Sequence, residues 1–208
     1  LFSLANAKRI QNGIGDSLGL IKSQNVFADV FNSQGAYRSS IHSYRKSVEI
    51  ARSIGDRKRE AIALSNLSIP LRNSEMYFDA ILSSKSAQAI FLEIGETKYL
   101  PNLYLGIANT YHALDSLHSA MAFYEEALNS LPESGNLSTE LSILTSKAVC
   151  LRSLGDLDNA KLILETAIDL NVEADTIDLP LLGTQTLDLG LLFFDLHQFP
   201  KALIHLES

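Results

Sequence analysis

Apolar residues recur along this chain at three- and four-residue steps, the spacing of one face of a helix. The blocks read Leu4-x2-Ala7-x2-Ile10, Phe27-Ala28-x2-Phe31, Leu64-x2-Leu67-Ser68-x2-Leu71, Leu144-x3-Ala148-x2-Leu151 and Leu189-Gly190-x2-Phe193. Between blocks a short polar signal returns at a constant interval: Ile14-Gly15-Asp16, Ile54-Gly55-Asp56, Ile94-Gly95-Glu96 and Ser134-Gly135-Asn136. Glycine suits the left-handed residue that ends a helix, and Asp, Glu or Asn after it suits the start of the next. Each unit is therefore predicted to be helix, tight turn, helix, corner, and the fold class all-α.

The period sets the expected boundaries: residues 1–14 as the second helix of a truncated repeat, then repeats at 15–54, 55–94, 95–134 and 135–174, and an incomplete fifth at 175–208, all in one continuous domain. Gly35 falls at the turn inside the first of these. In the fifth copy Gly190 and Ala202 trail their counterparts Ala148 and Ala160 by two positions more than one period, so about two residues enter near Asn171–Pro180 and the corner there loses its glycine. Pro70 lies inside a first helix, where it has no N–H to donate and crowds the carbonyl of Asn66, so a kink or local unwinding is expected.

The clearest copy is Tyr104-x2-Ile107-Ala108-x2-Tyr111 followed by Ala120-x3-Tyr124-x2-Ala127-x4-Pro132. It resembles one tetratricopeptide repeat, with Tyr, Ile, Ala and Tyr in place of that family's Trp, Leu, Gly and Phe. The 40-residue unit is longer than the family's usual one of about 34 residues and resembles its Gly-Asp-cornered version, found in bacterial signalling and regulatory proteins. The resemblance implies a right-handed superhelical solenoid of antiparallel helix pairs, about five repeats long, in which neighbouring pairs bury each other's apolar faces. It also implies a non-catalytic module that binds an extended peptide or a partner's helix along its concave groove. The alternative it implies is a sensory, regulatory or dimerising segment acting on a cyclase, kinase or DNA-binding output domain of a larger protein.

Carried over by register, the groove positions are Asn25, Asp29 and Asn32, then Asn66, Ile69 and Arg72, then Asn102, Asn109 and His112, and lastly Ser142, Thr145 and Arg152. Amide and guanidinium groups pair with peptide backbone and carboxylates, so the expected peptide-binding residues are Asn25, Asp29, Asn66, Arg72, Asn102, Asn109, His112 and Arg152. The family's carboxylate-clamp version is not matched: Asn66 is present, but Asn25 and Asp29 stand where it has Lys and Asn, and Asn102 and Gly106 where it has Lys and Arg.

Composition narrows the chemistry. With 208 residues, 46% of them hydrophobic, the chain can bury a large apolar surface. It has no apolar run of membrane-spanning length and no signal-peptide pattern, and it starts at Leu, so it reads as a cytoplasmic piece of a longer protein. One cysteine, Cys150, allows no internal disulfide and reads as a small structural hydrophobe. Net charge is −7, divided unevenly: residues 1–100 hold 13 Lys/Arg against 9 Asp/Glu, a net +4, and residues 101–208 hold 4 against 15, a net −11. Together with apolar ends this predicts self-association through the ends of the solenoid.

Three further patterns carry no chemistry. Gly15-Asp16-Ser17-Leu18-Gly19 spells a nucleophile elbow without the strand such an elbow needs. His112 and His118 are six residues apart, on different helix faces, so no metal or other cofactor is expected. Arg38, Arg45, Lys46, Arg52, Arg57, Lys58 and Arg59 are the one basic cluster, without a nucleic-acid reading motif, so neither nucleic acid nor membrane is expected as a partner.

Overall fold

The computed structural model describes residues 2–132, 136–174 and 176–206, and every regular element among them is helical: α1 Phe2–Ser33, α2 Tyr37–Ser53, α3 Arg57–Asn73, α4 Tyr77–Glu93, a 3₁₀ turn at Thr97–Tyr99, α5 Leu100–Ala113, α6 Leu117–Asn129, α7 Leu137–Leu154, α8 Leu157–Val172, α9 Leu179–Asp195 and α10 Phe199–Leu206. They form two compact units, residues 1–99 with α1–α4 and residues 100–208 with α5–α10. Within each unit successive helices pack in sequence order, the arrangement of stacked helical hairpins.

Most helices end in the same way. Gly35, Gly55, Gly95 and Gly155 hold φ of 72°, 72°, 69° and 81°, and Glu75, Asp115 and His197 take the same left-handed conformation at 61°, 58° and 58°. The left-handed residue donates its N–H to the carbonyl three residues back, and the next residue donates to the carbonyl five back, as in Gly55→Arg52 (3.2 Å) with Asp56→Ala51 (2.9 Å) and Glu75→Arg72 (2.9 Å) with Met76→Leu71 (2.9 Å). These paired bonds satisfy the carbonyls that a helix end leaves open. Positions 35, 55, 75, 95 and 115 are evenly spaced, so one period of the sequence spans two such turns. The residue after the turn often caps the next helix: Asp56 and Asp156 accept from the N–H groups of Arg59 (2.9 Å) and Asn159 (3.4 Å).

At two of the sequence signals the structure departs from, or lies beyond, the expectation. α1 runs unbroken from Phe2 to Ser33, across Gly15-Asp16 where the period predicts a corner. Continuing the helix through Gly15 keeps its backbone groups hydrogen-bonded. Ser17 is accordingly helical, its Oγ donating to the Gly13 carbonyl at 2.8 Å, and no elbow forms. Gly135 lies outside the described residues. α3 continues past the buried Pro70 as far as Asn73.

Close helix approach is managed by small residues at three positions of each repeat. Ala28, Ser68, Ala108, Ala148 and Gly190 occupy one, on the first helices, and all are buried. Ser40, Ala80, Ala120, Ala160 and Ala202 occupy the second, and Ser47, Ala87, Ala127 and Ala167 the third, each at most 2% exposed. At the tightest, a Cβ on Gly190 would stand 3.0 Å from the Leu206 side chain. Larger residues fill the space between these contacts: Tyr104, Ile107 and Tyr124 are buried, and Phe123 stacks on Tyr111 at 5.4 Å.

Where the corner glycine is missing, a side chain replaces it. The buried Asn171 accepts from the Asp178 N–H at 2.9 Å and donates to the Asp178 carbonyl at 3.1 Å, which closes the connection between α8 and α9. Its amide also donates to Gln185 at 3.2 Å, and Gln185 donates to the Thr145 hydroxyl at 3.1 Å, so this buried polar chain is hydrogen-bonded throughout.

Two outcomes follow for stability in chemical denaturation. Ala120→Leu, forced into a fully buried helix contact, is expected to destabilise by about 1–3 kcal/mol; a neutral result would mean that the helices are not in close contact there. Glu75→Gly, which relieves a non-glycine residue of the left-handed conformation, is expected to stabilise by about 1 kcal/mol, and a loss of stability would contradict the assigned turn.

Candidate functional site

The expected groove residues all lie on first helices, and most are already engaged within the fold. In the unit of residues 1–99, Asp29 on α1 accepts the hydroxyl of Tyr44 on α2. Burial, then the Asp29 hydrogen bond and charge, push the Tyr44 phenol well above its usual range. In the unit of residues 100–208, Asn109 on α5 accepts the Tyr124 hydroxyl at 2.6 Å. The two bonds are the same contact two periods apart, each tying together the two helices of one hairpin.

A second set joins successive first helices. Asn73 on α3 donates to Asn32 on α1 at 3.2 Å. His112 Nε2 on α5 is 3.2 Å from Ser153 Oγ on α7, the Thr139 hydroxyl reaches Asn102 at 3.5 Å, and Arg152 Nε on α7 pairs with Asp195 on α9 at 2.8 Å. Asn32 with Asn73 and His112 with Ser153 are equally far apart in sequence, and Asp195 lies two positions further from Arg152, where the repeat is longer. Thr145, expected on the open face, is instead buried beneath Gln185, because its side chain points toward α9. Asn25 and Asn66 are half-buried, and the amide oxygen of Asn25 is buried without a hydrogen-bond partner.

The electrostatics vary along this face. Burial lowers the pKa of His112, against the opposing charge of Asp115. Asp188 on α9 lines a small cavity with Ala148, Val149, Arg152 and Leu192, and burial raises its carboxyl above the ordinary range although Arg152 opposes the shift. Arg152 thus pairs with Asp195 and shares a cavity with Asp188; sequence reasoning missed both, although the spacing of the other pairs, corrected for the two-residue insertion, would have pointed to Asp195.

The basic cluster is largely neutralised. Glu60, 2% exposed, receives Arg52 at 2.9 Å and Arg57 at 2.7 Å, Arg57 also reaches Glu93, Lys58 pairs with Glu96 at 2.6 Å, and Arg59 with Asp56. Cys150 is buried, its thiol directed to the Leu117 carbonyl at 3.6 Å, and burial raises its pKa, as suits a packing residue. Among the described residues no group of His, Cys, Asp and Glu is arranged to hold a metal ion.

Residues 101–132 and 141–171 match the tetratricopeptide repeat. Both of these segments are tetratricopeptide repeats. The two matched segments are α5–α6 and α7–α8; Ala108, Ala120, Tyr124 and Ala127 of the first and Ala148, Ala160, Leu164 and Ala167 of the second are buried. No curated protein sequence matches the chain. Among solved structures, BtubC (BKLC) from P. vanneervenii is similar over 99% of this chain and 84% of its own, at 20% identity and a TM-score of 0.80. Pseudomonas aeruginosa pilF is similar over 91% and 75%, at 12% identity and 0.67, and aspartyl phosphate phosphatase F from Bacillus subtilis over 91% and 48%, at 20% identity and 0.65. At these identities the likeness is one of fold. Tetratricopeptide repeats commonly serve as protein-interaction modules.

The raised Asp188 pKa fixes the sign of a pH effect. A carboxyl that holds its proton more tightly in the folded state contributes stability below its unfolded pKa and loses it as pH rises through the folded one. Asp188→Asn is therefore expected to gain stability relative to the parent chain on going from pH 4 to pH 7, read as a denaturation midpoint; a pH-independent difference would contradict the burial of this carboxyl.

Proposed function

We propose that the chain is a non-catalytic protein-interaction module whose first-helix face takes an extended peptide or a partner's helix, in the cytoplasm. The observation that carries this reading is the polar character of that face in the unit of residues 1–99, where Asn66 lies half-buried on α3 beside the half-buried Asn25 of α1 in the register of first helices. The Asn66 amide can supply both a donor and an acceptor to a peptide backbone, whereas the Asn25 oxygen is buried and is not itself a contact atom. In the unit of residues 100–208, Asn102, Asn109, His112 and Arg152 hold that unit's own helices together, since each bonds to a neighbouring helix.

A second reading is a regulatory segment of a larger bacterial signalling protein, acting in cis on an output domain. The fold likeness to aspartyl phosphate phosphatase F, of which the chain covers 48%, favours it. No helix among the described residues is long and apolar enough to cross a membrane, so either reading operates without a helical span in this part of the chain.

The test is capture from native extract with the parent chain and with an Asn66→Ala/Arg72→Glu variant of equal helicity. The first reading expects a protein held by the parent and reduced at least tenfold by the variant. Equal capture by both would contradict the assignment of this face.

A further inference from the structure

The second helices of the repeats carry an outward row of five positions at four-three-four-three spacing, in the same register from one repeat to the next. Such a row lies along one side of a helix, as the seam of a coiled coil does. In α2 the row is Arg38, His42, Arg45, Glu49 and Arg52, all exposed. In α6 it begins His118, Ala122, Glu125 and Asn129, again exposed.

In α4 the same positions are Phe78, Leu82, Lys85, Ala89 and Leu92. Phe78 is 77% exposed, Leu82 67% and Leu92 54%. Single exposed apolar residues are ordinary, but a row of them on one side of one helix marks an interaction surface. In α8 the row is Asp158, Leu162, Glu165, Asp169 and Val172, with Leu162 62% and Val172 51% exposed. It combines apolar residues with three carboxylates.

We propose that the outer seam of α4 docks the outer seam of α8 from a second copy of the chain. Three observations select this occupant. The copy must bring apolar side chains at matching spacing, and α8 has two, whereas the α2 and α6 rows have no large aliphatic or aromatic residue and the described part of the α10 row has one, Ile204. The charges are complementary: the α4 seam has Lys85 at its centre, the α8 seam has three carboxylates, and residues 1–100 and 101–208 carry net charges of +4 and −11.

The third observation is the central position. Lys85 and Glu165 are each the third of five, so they meet whichever way the two helices run. An α4–α4 pairing would set Lys85 against Lys85, and an α8–α8 pairing Glu165 against Glu165, so like charge disfavours both. The existing partner of Glu165 is Lys161 at 3.7 Å, a loose surface pair that is readily exchanged.

Because the contact joins two different surfaces, each copy keeps one of each free, and association continues beyond the dimer. One helix against another buries less than the roughly 1,200 Å² of a stable complex, so the contact belongs to the weak class, to be sought at roughly 10–500 µM chain, where contacts of micromolar or weaker Kd populate.

The test is sedimentation velocity of the whole chain across that concentration range. Mass is expected to rise with concentration, and to rise at least tenfold less readily in about 1 M salt, where charges are screened beyond about 3 Å. Leu82→Asp and the double variant Leu162→Lys/Glu165→Lys, both at exposed positions and checked for unchanged helicity, are each expected to remain monomeric. Mixed, they are expected to form a 1:1 dimer and nothing larger, because each supplies the seam the other lacks. A chain that stays monomeric throughout, variants that still associate, or a mixture that does not recover the dimer would overturn the proposal. Association surviving both variants would place the contact elsewhere, the chain ends included.

Discussion

A left-handed residue at regular intervals governs this fold. Its positive φ turns the chain out of a helix, and the two backbone bonds that accompany it close the open carbonyls left behind. The helices between such turns have nearly the same length, so each presents its small residues at the same height as its neighbours. Ala108, Ala120 and Ala127 are fully buried for that reason. Were a turn one residue out of place, the helix after it would rotate by about 100°, given 3.6 residues per turn, and bring a larger or charged residue to a contact that admits only a small one.

The same spacing determines what the first-helix face can offer. Residues about one period apart stand beside each other on successive first helices, and polar side chains there bond to one another before they meet any ligand. Asn32 with Asn73, His112 with Ser153 and Arg152 with Asp195 are three instances of one geometric fact. Within the proposed reading, the positions that these internal bonds leave over are Asn25 and Asn66.

The helical hairpins were legible because apolar periodicity and the glycine signal agree. Gly55 and Gly95 end helices as their sequence predicts, but Glu75, Asp115 and His197 do the same work without a glycine, so those turns carried no composition signal. Conversely, Gly15 sits in the same Ile-Gly-Asp triplet as Gly55, and the helix passes through it; the triplet alone does not fix a corner. At the site, register placed the residues on the first helices but not their partners. The Tyr44–Asp29 and Tyr124–Asn109 bonds repeat in register and were accessible in principle. The Asn171–Gln185–Thr145 chain was not, since it appears once, where the period breaks.

Amide hydrogen exchange tests the role of the turns most directly. The N–H groups of Asp56, Met76, Glu96, Ser116 and Asp156 lie outside regular helix, yet each donates to a carbonyl five residues back at 2.9–3.0 Å. If these bonds hold the fold, their exchange is slowed to the rates of the adjoining helix amides. Exchange as fast as that of exposed loops, with the helices themselves protected, would contradict the account.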